Sequence, residues 1–470
     1  MNKNFQKLLS FIKSHKVFSV FSFCILAIHL IAQKPIQIIN AISFESEEMF
    51  SIQISWLKFF LEPIIGLPLF YLRASQPVEE YIALWVWIFI LFGLVLFVKH
   101  QFHFIKYWFI SIPAVVGLAY FILVWMIFWP LPSNTIVNKN ENAILFNTHA
   151  HSHYSHDGLI TQTEQMKWHE RNGFDAFFFT EHNHNPNTLD FVQSQASGKI
   201  SKNPHVMTGI EFSGSIHMVL LGLTDSLITF GKKDSFVISE VYKQGGVVGV
   251  AHWFVDQKNS IQHYIDSGAG GYEIANKNQL AFPYDIHNDI VSACEKNNLF
   301  LLGGADYHGY GPTCCIWNMM EIPNWESLNH DEKTKAIITG LKNGKNQVIY
   351  YSDRGLTPFE NIWLSPPINF INYFRGLNIF QVFSWIGWFL ILILLKIKIK
   401  FQCTMKGIPI FSGMAILIQG RILLSKSEVV RQHNDILFEF GNLFTMLGLG
   451  LFGAGLVLWL ILRYLPKWID

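Results

Sequence analysis

The stretch ILFNTHAHSHYSHDG, residues 144–158, decides the fold class. It opens as an apolar run of strand length, 144–148, and passes at once into His149, Ala150 and His151. Side chains at i and i+2 of an extended segment point the same way, so both histidines can reach one ion. Ser155, His156, Asp157 and Gly158 follow. The same order, an apolar run and then metal-ligand residue types, recurs down the chain. FDAFFFT (174–180) runs into Glu181, His182 and Asn183, the run 206–210 ends in Glu211, and His217 opens the run 217–222. GVVGVA (246–251) leads to His252 and Trp253; after a further run at 271–275, LFLLG (299–303) leads to Ala305, Asp306, Tyr307 and His308. Helical patterns at 161–172, 235–244 and 283–297 fall between several of these runs. Such alternation predicts an α/β domain with a mainly parallel sheet. Imidazoles and carboxylates at the C-terminal ends of successive parallel strands converge on one point, where barrel active sites lie.

The series HAHS…SHDG, TEHN, GIE, AHW and ADYH resembles the polymerase-and-histidinol-phosphatase (PHP) family, whose usual forms are HxHTxxSDG, TDHN, GxE, AHP and SDxH in that order. The resemblance covers about 145–310 closely and extends to 365. It implies a distorted (β/α)7 barrel with up to three metal ions at its mouth, and hydrolysis of phosphate esters. It implies one ion on His149, His151, Glu211 and Asp306, and a second on Glu211, as a bridge, with His217 and His252. The third falls to Asp157, His182 and His308. Glu211, Asp306 and His308 are the implied catalytic residues. Imidazole and carboxylate ligands without thiolate suit Zn²⁺, Mn²⁺ or Fe²⁺. A bridging carboxylate suits a pair of ions roughly 3.5–4 Å apart, a spacing fit for in-line displacement at phosphorus. Three positions depart from the family pattern: Glu181 stands for Asp, His156 lengthens the SDG piece, and Trp253 stands for Pro. His153, His156 and His184 are weaker candidates, as proton donors to a leaving group. Arg354 is a candidate phosphate ligand or a plain surface arginine, and Cys314–Cys315 a redox pair or two buried or free thiols.

Outside this stretch the composition changes. Of 470 residues half are apolar and 15% charged, with 42 Phe, 15 Trp and a mean hydropathy of +0.27. A soluble protein carries about a quarter charged residues. The numbers exclude an ordinary soluble enzyme, a disordered chain and a pure transporter bundle, and predict bilayer segments joined to a water-soluble domain. Fourteen of the 19 His fall within 143–365. The net charge of +1 argues against a general nucleic-acid-binding surface, and no stable nucleic-acid complex is expected. Five Cys (24, 294, 314, 315, 403) make neither a disulfide framework nor a CxxC pair.

The apolar residues concentrate at 81–98, 107–131, 377–395 and 441–462, each near the ~20 residues that cross a bilayer as a helix. The runs 17–33, with His29, and 407–425, with Arg421, complete six expected crossings; 17–33 also has the form of a signal peptide, with Ala32 at a cleavage position. The stretch 52–72 carries Lys58, Glu62 and two prolines, and mid-span charges cost roughly 2.5–3.5 kcal/mol each, so an interfacial or re-entrant helix is expected there. The predicted organisation is an N-terminal membrane region (1–133), a phosphoesterase domain (143–365) and a C-terminal membrane region (376–470). Lys3, Lys7, Lys13 and Lys16, then Lys99 and Lys106, then Lys396, Lys398, Lys400 and Lys406, and finally Arg463 and Lys467 mark cytoplasmic segments. Six crossings then put the histidine-rich domain outside the cytoplasm of an inner or plasma membrane.

The function so predicted is a membrane-anchored, metal-dependent phosphoesterase. Its substrate would be a phosphorylated small molecule, a nucleotide or a lipid phosphate. Two other classes stay open at this point. One is a metal-binding sensor or transport-coupled protein without turnover; the other is an amidohydrolase-like C–N hydrolase.

Overall fold

A computed structural model describes residues 14–464 except 35, 75, 102–103, 130, 353, 355–357, 396–400 and 433. Lys3, Lys7, Lys13, Lys396, Lys398, Lys400 and Lys467 therefore lie outside the described residues. The chain starts with helix α1 (Lys16–Ala32), strands β1 (Gln37–Asn40) and β2 (Phe50–Ile54), and helices α2 (Trp56–Leu72), α3 (Pro77–His100) and α4 (Phe104–Phe128). Strand β3 (Asn134–Asn138) pairs with β2 and leads into the histidine-rich part.

That part alternates strands and helices: β4 (Ala143–Asn147), α5 (Gln162–Arg171), β5 (Ala176–His182), α6 (Pro186–Ala196), β6 (His205–Ser213), β7 (His217–Leu221), α7 (Asp234–Lys243) and β8 (Val247–Val250). Two short helices, α8 (Trp253–Asp256) and α9 (Ile261–Asp266), precede β9 (Gly271–Asn276), β10 (Gln279–Leu280), α10 (Tyr284–Asn297), β11 (Phe300–Gly304), β12 (Ile316–Glu321), α11 (His330–Lys342) and β13 (Gln347–Ser352). Local chemistry sets these boundaries. Thr161 and Glu164 form a capping box at the start of α5, and Gly173, at φ +77°, lets the chain turn into β5. Strands β4, β8, β9 and β11 are buried along their whole length, as sheets covered on both faces require.

The sheet is mixed, which corrects the expectation of a mainly parallel one. β4–β5, β5–β6, β8–β9 and β9–β11 are parallel. β6–β7, β7–β8, β12–β4, β12–β13, β1–β13 and β9–β10 are antiparallel. The reversal at β6–β7 follows from its connection: only residues 214–216 separate the strands, enough for a hairpin and far too few for a parallel crossover. The edge strand β1 comes from residues N-terminal to the predicted start of the domain and pairs with β13, Gln37 opposite Ser352.

The sheet curls until β11 approaches β4 and β12, yet among the described residues no ladder joins them. Side chains close the seam instead. Asn318 accepts from Gly303 N (2.9 Å) and donates to the carbonyls of Gly303 (2.7 Å) and Phe146 (3.2 Å); Thr148 donates to Gly303 O (3.2 Å). Beyond the strand ends a single parallel bridge, Ala150 to Tyr307, completes the curve.

Four further helices follow: α12 (Ser365–Gly376), α13 (Ile379–Leu394), α14 (Phe401–Val429) and α15 (Ile436–Tyr464). Among the described residues four helices, Pro77–Lys99, Phe104–Phe128, Cys403–Val429 and Ile436–Tyr464, are long and apolar enough to cross a membrane, or five spans if the bent pair α12–α13 counts as one. The other two expected crossings coincide with shorter helices. Helix α1 has 17 residues, about 26 Å at 1.5 Å each, and the 16-residue α13 meets its predecessor at a bend of 113°. α14 and α15 pack backbone to backbone: a Cβ on Gly448 would stand 2.5 Å from Leu417 N, and one on Gly413 2.5 Å from Phe452 N. In α2 the charges are internal. Glu62 pairs with Lys58 (3.3 Å) and accepts from Tyr373 (2.7 Å) and Gln381 (2.9 Å), all buried.

Asn318→Leu removes three of the four seam bonds, leaving Gly303 N without its side-chain acceptor and Gly303 O with Thr148 as its one seam donor. The expected cost is about 2–4 kcal/mol, read as a lowered melting temperature in detergent and faster amide exchange at Gly303. Unchanged exchange there would mean the seam is closed by something else.

Candidate metal centre

Each candidate ligand reaches the same end of the curled sheet. His149 and His151 extend β4, His182 ends β5, Glu211 lies near the end of β6, and Asp306 and His308 follow β11. The β6–β7 hairpin brings His217, at the start of its strand, beside Glu211 (Nδ1 to Oε1, 2.7 Å). His252 follows β8, and Asp157 sits on the loop between β4 and α5. Both His252 (φ 30°) and Asp306 (φ 45°) hold left-handed backbone conformations, uncommon for residues with a Cβ and frequent where a site fixes the chain.

Eight of the nine residues form three overlapping groups with ligand atoms within 4.8 Å of one another: His149, His151 and Glu211; Glu211, His217 and His252; and His151, Asp157, His182 and His308. Asp306 Oδ1 joins the first at 3.5 Å from His149 Nε2 and 3.4 Å from His151 Nε2. Glu211 divides its oxygens. Oε1 faces His217 and His252 (2.7 and 3.2 Å), while Oε2 faces His149, His151 and His182 (3.3, 3.2 and 3.2 Å). A carboxylate split in this way is shared between two of the ligand groups.

The fit to metal rests on atoms that lack other partners. His149 Nε2, His151 Nε2, Asp157 Oδ1, His182 Nδ1 and Asp306 Oδ1 are buried without a hydrogen bond, and all but Asp157 Oδ1 face other ligand atoms of the cluster. Buried polar atoms are rarely left so. The opposite ring nitrogens of the histidines are engaged. His149 Nδ1 donates to Glu273 (2.9 Å) and His308 Nδ1 to the carbonyl of Asp306 (2.8 Å). Ser155 Oγ donates to Glu181 (2.6 Å), so it accepts from His151 Nδ1 (3.0 Å). These bonds fix the tautomers that leave Nε2 lone pairs free to bind an ion.

Charges in the cluster shape one another. Burial works against the ionised forms of Glu211 and Asp306. Nearby His149, joined by His182 at Glu211 and by Lys277 at Asp306, still holds both carboxyls well below their usual range. His182 is pushed up to about 9, because Glu211 and Asp157 outweigh its burial. His149 also rises, beside Asp306, Glu211 and Glu273, whereas burial and the neighbouring His308 and His182 push His151 down. Protons thus occupy part of the positive charge that the carboxylates demand, and ions would displace them.

Four supporting residues escaped the sequence reading. Glu273, fully buried in β9, accepts from His149, from His252 N (2.9 Å) and from Asn276 (2.9 Å). A lone acid inside the apolar run 271–275 was its available signal. Glu181, noted only as a departure from the family pattern, accepts from Ser152 and Ser155 and holds the turn that carries His151. Lys277 places its ammonium 3.2 Å from Asp306 at the mouth. Asn434, from the loop joining α14 to α15, donates to the carbonyls of Ser155 (2.6 Å) and Gly158 (2.7 Å) and so grips the Asp157 loop; no local pattern marks it.

The weaker candidates are placed as follows. His184 bonds Tyr154 O (3.1 Å), His153 packs edge-on against Tyr154, and His156, 61% exposed, stands over the ring of His182. Arg354 is neither a surface arginine nor near the centre. Its guanidinium is buried against Glu80 (2.5 Å) and the Phe70 ring, because Glu80 on α3 needs a cation there. Cys314 and Cys315 are buried and stand outside any disulfide, and burial pushes the Cys314 thiol up to about 12. Trp253 is buried, with its indole N–H on Asn259 O (2.9 Å).

No protein-family model matches this chain, and no curated protein does. Similar solved structures include a two-domain protein of Bacteroides vulgatus containing a predicted PHP-like metal-dependent phosphoesterase. It is 22% identical over 44% of this chain and 65% of its own length, with a TM-score of 0.36, so about a third of that protein lies outside the match. PsfC of Pseudomonas syringae is 14% identical over 50% of this chain and 98% of its own (TM-score 0.35). An amidohydrolase of Chromobacterium violaceum is 14% identical over 40% and 96% (TM-score 0.28).

Glu273→Ala leaves all nine candidate ligands in place and removes the partner of His149 Nδ1. Loss of such a partner costs about 10–100-fold in metal affinity, which competition with a chelator measures. Wild-type affinity in the variant would contradict the role assigned to Glu273.

Proposed function

We propose that this chain is a membrane-anchored, metal-dependent phosphoesterase of the PHP kind. The observation that carries the proposal is the division of Glu211 between two ligand groups, with orphaned imidazole and carboxylate atoms around it. His149, His151, Glu211 and Asp306 would hold one divalent ion, Glu211, His217 and His252 a second, and Asp157, His182 and His308 a third. Bound Zn²⁺, Mn²⁺ or Fe²⁺ would supply Lewis acidity and a water of lowered pKa.

The chain's own side chains do the rest. Glu273, Glu181 and Ser155 orient imidazoles so that no reorganisation is needed on loading. Asp306 and His308, together with Glu211 the residues we assign to the reaction, also line the cavity that admits substrate. Lys277 lines it too, and its ammonium is placed to offset charge on an ester oxygen.

Full-length protein in detergent, supplied with Mn²⁺ or Zn²⁺, should release phosphate from an aryl phosphate. Glu211→Ala and Asp306→Ala should each lower that rate at least ~100-fold. Metal binding without turnover of any phosphate ester would instead favour a sensor. We also propose that the catalytic domain faces away from the cytoplasm, on the lysine distribution. Trypsin added to intact spheroplasts should then cut at the exposed Lys199 or Lys202; protection of both in sealed cells, lost on lysis, would reverse the orientation.

A further inference from the structure

The mouth of the curled sheet faces the helices. Asn278 on the β9–β10 turn donates to Leu72 O (2.8 Å), and Gly311 N donates to Ile127 O (3.3 Å). Between mouth and helix ends lies a cavity of about 620 Å³. His252, Asp306 and His308 form part of one wall, with Asn276 and Lys277 beside them. The opposite wall is Leu72, Val78, Tyr81, Leu123, Met126 and Ile127, from α2, α3 and α4. Tyr81 donates its hydroxyl to Ala119 O (2.6 Å), so its ring is what remains to line the space.

A second concavity, about 440 Å³, runs along α3 and α4 and shares Val78, Tyr81 and Leu123 with the first. Ile82, Trp85, Phe89, Ile112 and Val116 continue its walls, and no charged side chain lines it. Ile82, Ile112 and Val116 are exposed, so the groove opens sideways on two helices long and apolar enough to cross a membrane. Ligand atoms and a cation at one end, and an apolar channel leading away from them, match one shape of molecule.

We infer that the substrate is a phosphate ester bearing a long apolar chain, its phosphate at the His252–Asp306–His308 wall and its chain in the groove between α3 and α4. The inference rests on the phosphoesterase reading and specifies its substrate class. A compact water-soluble ester would leave the apolar wall and the groove unfilled.

The test uses full-length protein in lipid nanodiscs loaded with Mn²⁺, with an aryl phosphate, butyl phosphate and dodecyl phosphate as substrates. The wild type should prefer dodecyl over butyl phosphate by about tenfold or more in kcat/KM. Ala119→Trp and Val116→Trp, which fill the groove away from the centre, should abolish most of that preference and leave aryl phosphate turnover within about twofold. Retained aryl turnover with an unchanged dodecyl-to-butyl ratio in both variants would overturn the inference and leave the phosphoesterase standing. A change of oligomeric size in those variants with the ratio unchanged would also overturn it, and mark the groove as a seat for another helix. Should no ester be turned over, the phosphoesterase reading falls, and binding of dodecyl phosphonate decides. Binding lost in both tryptophan variants keeps the amphiphile site, and binding unaffected by them removes it.

Discussion

A carboxylate that is 2% exposed and faced by five imidazoles sets the terms for the rest of this molecule. Stripped of partners, a charge buried like that of Glu211 costs several kcal/mol, so the fold must deliver compensating groups from many places at once. It does so by ending strands at one rim. β4, β5, β6, β8 and β11 each release a ligand-type residue as they leave the sheet, and the β6–β7 reversal supplies His217 from the opposite direction. Behind them Glu273 and Glu181 fix ring orientation, which makes the cluster a preorganised receptor for positive charge.

The helices do more than carry this domain. Asn434 grips the Asp157 loop from the α14–α15 turn, and the backbone N–H groups of Asp435 and Ile436 donate to His156 O. Lys426 of α14 pairs with Glu164 at the start of α5 (3.2 Å). At the other edge β1 completes the sheet through β13. The histidine-rich part is therefore held at both ends by segments from outside it. The position of one ligand loop depends on how the C-terminal helical pair is set.

Much of the candidate centre was legible because metal ligation restricts residue types to His, Asp and Glu, and all but Asp157 stood at or near an end of an apolar run. The order of strands 144–148 to 299–303 followed from the same punctuation. What escaped depends on long-range pairing. Asn318 closes the seam through contacts with Phe146 and Gly303, and its own neighbourhood, IWNMME, reads as any buried strand. β1 is four residues between a helix and a turn, too short for a periodic signal. Arg354 looked like a surface residue because its acid, Glu80, lies 274 positions away. The mid-span charges of α2 argued for the interface, and their partners on α12 and α13 are equally remote in sequence.

That last separation has a consequence in time. Glu62 leaves the ribosome 311 residues before Tyr373 and 319 before Gln381, which completes the buried network. At roughly 5–20 residues per second, the interval is on the order of 15–60 s. For that period Glu62 lacks two of the groups that pair with it in the finished fold, and a charge placed in hydrocarbon costs roughly 2.5–3.5 kcal/mol. The final seat of α2 forms only after the whole histidine-rich part has been made. Biogenesis of the N-terminal helices is in this sense completed from the C-terminal side.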